Sequence, residues 1–365
     1  RDLRMSRGLG DVYKRQALID SDDLYLQRFV STFNSKYFDK ITIFSFSDPA
    51  IAESNMQMSK YDIVIAAENF DLTPFKDRCA VAYFSNSNEI NELNGEKAIG
   101  KYQRVENIYK QILDLYSEIH KGIIYNDNGG DNGTKIIGVF SACGGAGATS
   151  VASAYARALA ARGESVLYFD LEKNNCNHVF KGEGQQVTFG DVVYAIKSQN
   201  ANLGLKLESC VKHDPSGVYF YEPCESVLDF LELNDEEILD VIRTLKAAGK
   251  YTYMIVDFNF DFAPLHFELM KLMYKTFVVS LGTDNAIAKL RSLARAFELK
   301  EEQENFPYIE RMNLVYNRFT NETSLTADEL RIKIAGGVPD FGNAPFEQTV
   351  FKLTTLGMFS GESFK

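Results

Sequence analysis

The sequence lacks a long apolar run, an excess of basic residues and a secretion signal. No stretch of its 365 residues approaches the roughly 20 apolar residues that a helix needs to cross a bilayer, which argues against an integral membrane role. The formal net charge of −11 argues against binding along a nucleic acid backbone, because such binding depends on clustered lysine and arginine. No apolar stretch of signal-peptide type follows the N-terminal arginines, so secretion has no support.

Cysteine is also scarce. The chain has five cysteines, an odd number without paired metal-type spacing, which indicates reduced thiols in a cytosol. Only Cys176 and His178 suggest a metal. No further close pair completes a tetrahedral shell, so we interpret these two residues as packing residues rather than zinc ligands.

The length of the chain favours two globular domains, because one hydrophobic core rarely serves so many residues. Residues 1–16 are charged, lack periodicity and resemble translated adapter sequence, so we exclude them from fold reasoning; a natural basic tail is the alternative. Short apolar strands alternate with helical patterns over residues 17–122. A segment rich in glycine, asparagine and aspartate then predicts a linker at 123–134. Residues 135–365 predict a second α/β domain with a doubly wound parallel sheet.

Acidic residues mark the strand ends of the first domain. Asp20, Asp22 and Asp23 follow its first strand, and the third strand ends at Ala67 and Glu68. This pattern resembles the flavodoxin-like receiver fold, in which a strand-end aspartate accepts phosphate and acidic neighbours bind magnesium. Alanine cannot be a nucleophile and Glu68 lies slightly beyond the expected position, so we interpret the domain as a degenerate receiver used for protein contacts. We favour helix capping over metal binding for Asp22 and Asp23.

A glycine-rich loop opens the second domain, between the apolar strand 136–141 and a helix that ends at Gly163. Backbone amides in such a loop, with the dipole of the helix behind them, are suited to hold phosphate oxygens. A threonine hydroxyl in the loop is suited to bind magnesium. The predicted nucleotide-binding residues here are Gly144, Gly145, Ala146, Gly147, Ala148, Thr149 and Ser150.

The loop resembles the deviant Walker sequence K-G-G-x-G-K-[ST] of the MinD/ParA class of P-loop ATPases. Cys143 and Ala148 stand where both lysines of that class belong. Losing one charged partner weakens ATP binding by about 1.5–3 kcal/mol without removing the amides. The charge that develops during hydrolysis is left largely uncompensated, so we expect weak or no hydrolysis. A glycine turn without any ligand is the alternative interpretation.

Carboxylates at two later strand ends extend the resemblance. Asp170 and Glu172 resemble the D-x-D switch segment of the class, which implies that Asp170 orients the waters of magnesium and Glu172 positions the attacking water, as catalytic residues. Asp257 ends an apolar strand in the manner of a Walker B aspartate. Thr149, Asp170 and Asp257 are therefore the expected Mg²⁺ residues, directly or through water. Each aspartate alone could be a helix cap.

Near the C-terminus, Asn317 with Arg318, and Pro339 in a glycine-proline loop, resemble the adenine-side elements of the class. A strand-end turn is the alternative interpretation of Asn317.

A degenerate receiver, a short linker and a MinD-like domain together resemble the TadZ/CpaE proteins of Tad (Flp) pilus systems. The resemblance implies an ATP-bound homodimer with Mg²⁺ that marks an assembly site for the pilus machinery or polar proteins. It implies a cytoplasmic protein at the cell pole or the inner face of the membrane, associated with the membrane at most indirectly through partners. No nucleic acid partner is expected.

The alternative is an active ParA/MinD-type ATPase for chromosome or protein positioning, which would need a surrogate cation for Ala148. A DNA partition protein should carry a basic patch, and the basic side chains between 271 and 295 are scattered. A MinD-like membrane switch should end in a basic amphipathic helix, but residues 346–353 are short and weakly charged, and we expect them to pack onto the domain.

Overall fold

The structure is a computed structural model. It describes residues 14–37, 40–56, 60–119, 133–173, 179–182, 187–198, 202–356 and 359. The pair Cys176 and His178, and most of the predicted linker, lie outside the described residues.

The chain divides into two compact units. Unit 1 comprises Arg1–Asn126 and a second segment, Ala195–Ser209; unit 2 comprises Asp127–Tyr194 and Cys210–Lys365. The second segment of unit 1 comes from within residues 135–365, which the sequence assigns to one domain.

Unit 1 contains a sheet in the strand order β2-β1-β3-β4-β6-β5, in which every pair is parallel except β5 with β6. This is the order of a flavodoxin-like fold, and it confirms the predicted receiver-like class. Its elements in chain order are β1 Lys14–Ile19, α1 Asp23–Tyr37, β2 Ile41–Phe46, α2 Pro49–Met56, β3 Ile63–Ala67, α3 Thr73–Lys76, β4 Ala80–Ser85, β5 Glu92–Leu93, β6 Glu96–Gly100 and α4 Val105–Ile119.

The first strand of unit 1 begins before the sequence predicts. Lys14 pairs with Ile41 on β2, and Gln16 is fully buried and pairs with both Ile43 and Ile63. Three residues that the sequence places in the excluded segment 1–16 therefore belong to the sheet. Because the side chains of Lys14, Arg15 and Gln16 are polar, the pattern of apolar residues does not predict them as part of the strand.

Helices cover both faces of this sheet. Ile63 and Ile65 of β3 face a core built with α1 and α4, whereas Val64 and Ala66 of the same strand face a core built with α2 and α3. Neighbouring residues of a strand point to opposite faces, so a strand that is apolar at every position is buried on both sides.

Unit 2 contains a second sheet in the order β14-β13-β12-β7-β11-β8-β10-β9, parallel except for β9 with β10. The central strand β7 leads into the glycine loop, which confirms the predicted doubly wound parallel sheet. The end of α6 and most of α7 belong to unit 1. The elements from β7 to the end of the described chain are β7 Lys135–Ser141, α5 Ala148–Ala160, β8 Val166–Asp170, α6 Phe189–Ser198, α7 Leu203–Cys210, β9 Lys212–His213, β10 Val218–Phe220, α8 Val227–Leu231, α9 Asp235–Ala248, β11 Tyr253–Asp257, α10 Pro264–Leu272, β12 Lys275–Leu281, α11 Asp284–Glu304, a 3-10 turn Ile309–Arg311, β13 Met312–Phe319, β14 Lys333–Pro339 and α12 Phe346–Thr355.

Helix α7 completes unit 1. Leu205 packs against the core formed with α1 and α4, and the Lys206 ammonium lies 2.6 Å from a carboxylate oxygen of Asp114 on α4. The amide of Asn202 donates to the carbonyl of Ser117 at 2.7 Å. These contacts join residues about 90 positions apart along the chain, which is why local patterns did not predict them.

The C-terminal helix α12 packs on α5, as expected for residues 346–353. Val350 and Leu353 are fully buried in the core that contains α5. Within the described ranges, no helix is both long enough and apolar enough to cross a membrane.

Candidate nucleotide site

The glycine loop lies at the carboxyl end of the central strand β7. The amide of Ala142 donates to the carbonyl of Val279 at 2.9 Å, which fixes the start of the loop to the neighbouring strand β12. Gly145 and Gly147 have φ angles of 73° and 89°. These are left-handed conformations that side chains disfavour, so the loop needs glycine at both positions.

Helix α5 begins at the end of this loop without a side-chain cap. Gly147 occupies the N-cap position and offers no side-chain acceptor to the amides of the first turn. A Cβ atom built on Gly144 or Gly145 would meet nothing within 4 Å, so the loop is open at these residues. Uncapped amides at a helix start attract anions, because they add hydrogen bonds to the positive end of the helix dipole.

The side chain of Asn317, on β13, braces the glycine loop through a hydrogen bond to its backbone. Its Nδ2 donates to the carbonyl of Ala146 at 2.7 Å, and its Oδ1 accepts from the amide of Arg318 at 3.0 Å. A Cβ atom on Gly147 would lie only 2.4 Å from Asn317 Nδ2. The structure therefore brings Asn317 to the glycine loop, where both polar atoms of its amide have protein partners.

Arg318 and Pro339, the other two residues predicted for the adenine side, lie at the ends of β13 and β14. Arg318 is exposed, with a left-handed φ of 50°, at a register shift between β13 and β14. Pro339 ends β14 and pairs with Phe319. Their role at an adenine base stays a prediction.

Asp257 is the fully buried carboxylate of the site, at the end of β11. Its Oδ2 accepts a hydrogen bond from the Tyr168 hydroxyl at 2.7 Å, whereas its Oδ1 has no hydrogen-bond partner within the described residues. Burial and the nearby Glu172 carboxylate raise the pKa of Asp257 to about 7, against the opposing effect of the Tyr168 and Thr149 hydroxyls. A buried carboxylate with one unmatched oxygen is a suitable partner for a cation.

Asp170 and Glu172 lie beside Asp257. Asp170 ends β8 and pairs with Asp257 across the two parallel strands. Its Oδ1 accepts from the amide of Glu172 at 2.9 Å, which fixes the turn after the strand. Burial raises the pKa of Glu172 above its usual range. The structure therefore groups Asp170, Glu172 and Asp257 with Thr149 at one edge of the sheet.

These residues fit a magnesium–nucleotide complex. The unmatched Oδ1 of Asp257 and the hydroxyl of Thr149 are hard oxygen donors of the kind Mg²⁺ prefers, and the uncapped start of α5 suits the phosphates. The loop itself supplies no cation. Ala148 is almost fully buried and Cys143 packs against the core of unit 2.

Sequence reasoning missed Tyr168. A tyrosine inside the apolar strand β8 is typical of a core residue, and its hydroxyl gains a role only because β11 places Asp257 beside it. Its position two residues before Asp170, on the same face of the strand, is the one signal that could have identified it.

A comparison with protein families matches the N-terminal part of the chain. Residues 13–117 match the family model of the TadZ-like receiver domain. No relative is found among the curated proteins.

Solved structures with similarity to unit 2 are distant in sequence. A ParA family ATPase from Chlorobium tepidum TLS is 19% identical, with 63% of this chain and 92% of that chain covered and a TM-score of 0.48. The septum site-determining protein MinD complexed with Mg-ADP from Pyrococcus horikoshii OT3 is 18% identical, with 60% and 94% covered and a TM-score of 0.46. MinD in the MinC:MinD complex of Aquifex aeolicus is 16% identical, with 60% and 94% covered and a TM-score of 0.45.

The predicted resemblance is confirmed for the first domain by the family model. For the second domain, the strand order, the glycine loop after the central strand and the strand-end carboxylates define a P-loop NTPase fold of MinD/ParA type.

Proposed function

We propose that this chain, whose N-terminal unit belongs to the TadZ-like receiver domains, is an ATP-binding and largely non-hydrolysing protein of Tad (Flp) pilus assembly. In this protein ATP is a switch ligand: the binding of ATP, and not its hydrolysis, sets the state of the protein. The ATP-bound form is a homodimer that serves as a localisation and assembly hub in the cytoplasm, at the cell pole or at the inner face of the membrane through its partners.

The buried, half-matched carboxylate of Asp257 carries the nucleotide proposal. Leaving Oδ1 without a partner costs free energy in a site that binds nothing, whereas a magnesium-bound water or the ion itself would satisfy it. The uncapped start of α5 lies at the same edge of the sheet and offers amides to phosphate oxygens. A glycine turn without a ligand would need neither feature.

The missing cations favour binding over hydrolysis. Magnesium supplies charge neutralisation at the phosphates, but a P-loop lysine normally adds a second positive charge. Here Ala148 begins α5 and Cys143 packs into the core, so the loop relies on amides, Thr149 and the acidic edge alone. The loop therefore stabilises bound ATP more than it stabilises the charge that develops in the transition state of hydrolysis. Turnover is slow for this reason.

The pilus assignment rests on unit 1. A TadZ-like receiver domain that ends β3 in Ala67 retains the fold while it lacks the nucleophile, which suits a docking surface for pilus machinery or polar proteins. MinD of Aquifex aeolicus forms a complex with MinC, and a similar use of unit 2 for partner binding is part of this proposal.

An active ATPase that positions chromosomes or proteins is the second candidate. The observation that favours it is the pair Asp170 and Glu172, which remain close to Asp257 in an arrangement suited to orient a water. Such an enzyme would need a cation from a partner to replace the lysine.

Calorimetry with magnesium-ATP on the wild type and on Gly147→Val tests the proposal, together with a phosphate-release assay. We expect saturable binding to the wild type, none to the variant, and release well below ordinary ATPase rates. Absence of binding would remove the switch-ligand proposal, whereas rapid release would favour the active enzyme. Sedimentation with and without magnesium-ATP then tests the dimer, with a monomer under both conditions as the contradicting result.

A further inference from the structure

Lysine is the first residue of three strands in the unit 2 sheet. Lys135 begins β7, Lys275 begins β12 and Lys333 begins β14. These strands run parallel in the order β14-β13-β12-β7, so their first residues lie at the amino edge of the sheet, opposite the edge that holds the glycine loop. We refer to these three lysines as the basic edge.

The register of the strands places the basic edge on one face of the sheet. Lys275 lies level with the residue two positions after Lys135 on β7. Phe277, two positions after Lys275, pairs with Asn313, and Asn313 in turn pairs with Lys333. Side chains alternate between faces along a strand and paired residues share a face, so all three lysine side chains leave the sheet on the same side.

Three like charges are therefore brought together from strands that are far apart in the sequence. Lys135 and Lys333 are exposed, and neither forms an ion pair with any residue that the structure describes. Burial, and then the charges of Lys333 and Lys135, lower the pKa of Lys275. In a chain with a net charge of −11, carboxylates to balance these lysines are plentiful, yet the fold places none beside Lys135 or Lys333 among the described residues.

An exposed aromatic ring lies among these lysines. Tyr274, immediately before β12, is 51% exposed. The ammonium groups of Lys135 and Lys275 lie 5.3 Å and 5.7 Å from the centre of its ring, within the range of cation–π contacts. The edge thus joins positive charge to an apolar surface.

We propose that the basic edge binds an acidic peptide segment of a partner protein. From β14 to β7 the edge spans three strand spacings, about 14 Å, which an extended peptide of about five residues covers. A single small anion reaches only part of this row. A nucleic acid carries its charge beyond the row, where the acidic remainder of the chain repels it. The peptide carboxylates pair with the lysines, and the Tyr274 ring packs against an apolar side chain of the peptide.

Fluorescence anisotropy of the full-length protein with a fluorescein-labelled peptide of about six glutamates, long enough to span the row, tests this proposal. We expect saturable binding that weakens as salt rises from about 50 to 200 mM, because exposed charges are screened. Replacing Lys135, Lys275 and Lys333 together by glutamine should weaken binding about tenfold or more.

The matched control makes the same change at three exposed lysines outside the basic edge, Lys60, Lys181 and Lys289. It alters the net charge equally and should weaken binding less than about threefold, because distant exposed charges are screened. Gly147→Val should bind the peptide like the wild type, because the glycine loop lies at the other edge of the sheet. The outcome is therefore separate from that of the nucleotide proposal.

Lys135→Gln with Lys333→Gln keeps the experiment decisive if the triple variant does not fold, because both side chains are exposed and this double variant should still bind more weakly than the control. The proposal is overturned if the edge variants and the control bind alike, or if a peptide of lysines binds as tightly as the peptide of glutamates. Tighter binding of a thymidine oligonucleotide of matched charge would also overturn it, and would identify the edge as a nucleic acid surface.

Discussion

Tyr168 donates its hydroxyl hydrogen to one oxygen of Asp257 and leaves the other oxygen of that buried carboxylate without a protein partner. The two residues lie on neighbouring parallel strands, so the bond is set by the sheet and not by a flexible loop. The protein thus fixes Oδ2 of Asp257, and Oδ1 remains available to a ligand.

Replacing Tyr168 by phenylalanine should destabilise unit 2 and weaken magnesium binding at the proposed site. The change removes a buried hydrogen bond to a carboxylate, so we expect the free energy of unfolding to fall by about 1–3 kcal/mol. Without that donor the pKa of Asp257 rises further, and magnesium should stabilise the variant only at higher pH. Urea denaturation followed by circular dichroism measures the first effect. Tyr253→Phe, on a neighbouring strand, is the control and should change stability by less than about 0.5 kcal/mol; equal losses in both variants would contradict the prediction.

Stability without metal should fall as pH rises from about 4 to 7. The folded state keeps the Asp257 proton over this range, because its pKa is raised to about 7, while the unfolded state has already lost it. Ionisation therefore costs the folded state about 2–4 kcal/mol, in full only above pH 7. Magnesium with ATP requires the ionised carboxylate, so its stabilising effect should grow over the same range.

Asp257→Asn is the direct check on this pH dependence. The variant cannot ionise, so thermal denaturation from pH 4 to 8 should show a flatter profile, with more stability than the wild type at pH 8 and no effect of magnesium. A wild-type profile that matches the asparagine variant at every pH would show that Asp257 is ionised throughout.

Alanine at Gly147 should abolish nucleotide binding and destabilise the loop by about 1–3 kcal/mol. Two costs act there, a left-handed φ of 89° and a Cβ only 2.4 Å from Asn317 Nδ2. Gly145→Ala carries the first cost without the second, since its Cβ meets nothing within 4 Å, and should be less severe. Gly144→Ala carries neither cost and should leave thermal stability unchanged. Equal losses for the first two variants would rule out the clash as a cause.

A lysine at position 148 should restore part of the missing charge. Ala148→Lys places an ammonium group at the start of α5, and a charged hydrogen bond is worth about 1.5–3 kcal/mol, so we expect ATP to bind roughly 10- to 100-fold more tightly. Hydrolysis should also rise, because the transition state gains more from that charge. Ala148→Met, similar in length but uncharged, serves as control. If lysine and methionine behave alike in calorimetry and phosphate release, charge is not what limits this loop.

Acetyl phosphate with magnesium should not label unit 1. The side chain of Ala67 has no nucleophile, and one carboxylate oxygen of Glu68, Oε1, accepts hydrogen bonds from the Ser85 hydroxyl and the Asn86 amide. Mass spectrometry of the intact protein should show no added phosphate after incubation. An acyl phosphate mapped to Glu68 would contradict the interpretation of this domain as a degenerate receiver.

The parts of the fold that depend on short-range patterns were predictable. Continuous apolar runs located β7 and β11, and their alternation with helices indicated a doubly wound sheet. Asp170 and Asp257 were singled out by their resemblance to the switch segment and the Walker B strand of the MinD/ParA class, and both lie at strand ends, where ligands of open α/β sheets bind. Asp22 was assigned as a cap, and its Oδ1 accepts from the amide of Tyr25 at the start of α1.

The features that the sequence did not predict depend on contacts between residues that are far apart along the chain. Asn317 and Ala146 are 171 positions apart, so only the folded sheet shows that the amide braces the loop. Lys101 follows β6, whose hairpin with β5 turns at Asn94 and Gly95, both in left-handed conformations. An Asn-Gly pair between short strands is a recognised hairpin signal that could have located this strand. Its pairing with Asp20 depends on the order of strands in the sheet.

The contribution of Ala195–Ser209 to unit 1 has a consequence for biosynthesis. During translation the receiver sheet is complete once residue 119 has left the ribosome, but Leu205 and Lys206 arrive only after the glycine loop and β8 have been made. Until then the core formed with α1 and α4 lacks the Leu205 contact, and the Asp114 carboxylate pairs with Lys97 but not yet with Lys206. The nascent chain thus finishes its first unit after it has begun the second, and a fragment cut at the linker would be a receiver with one packing face left uncovered.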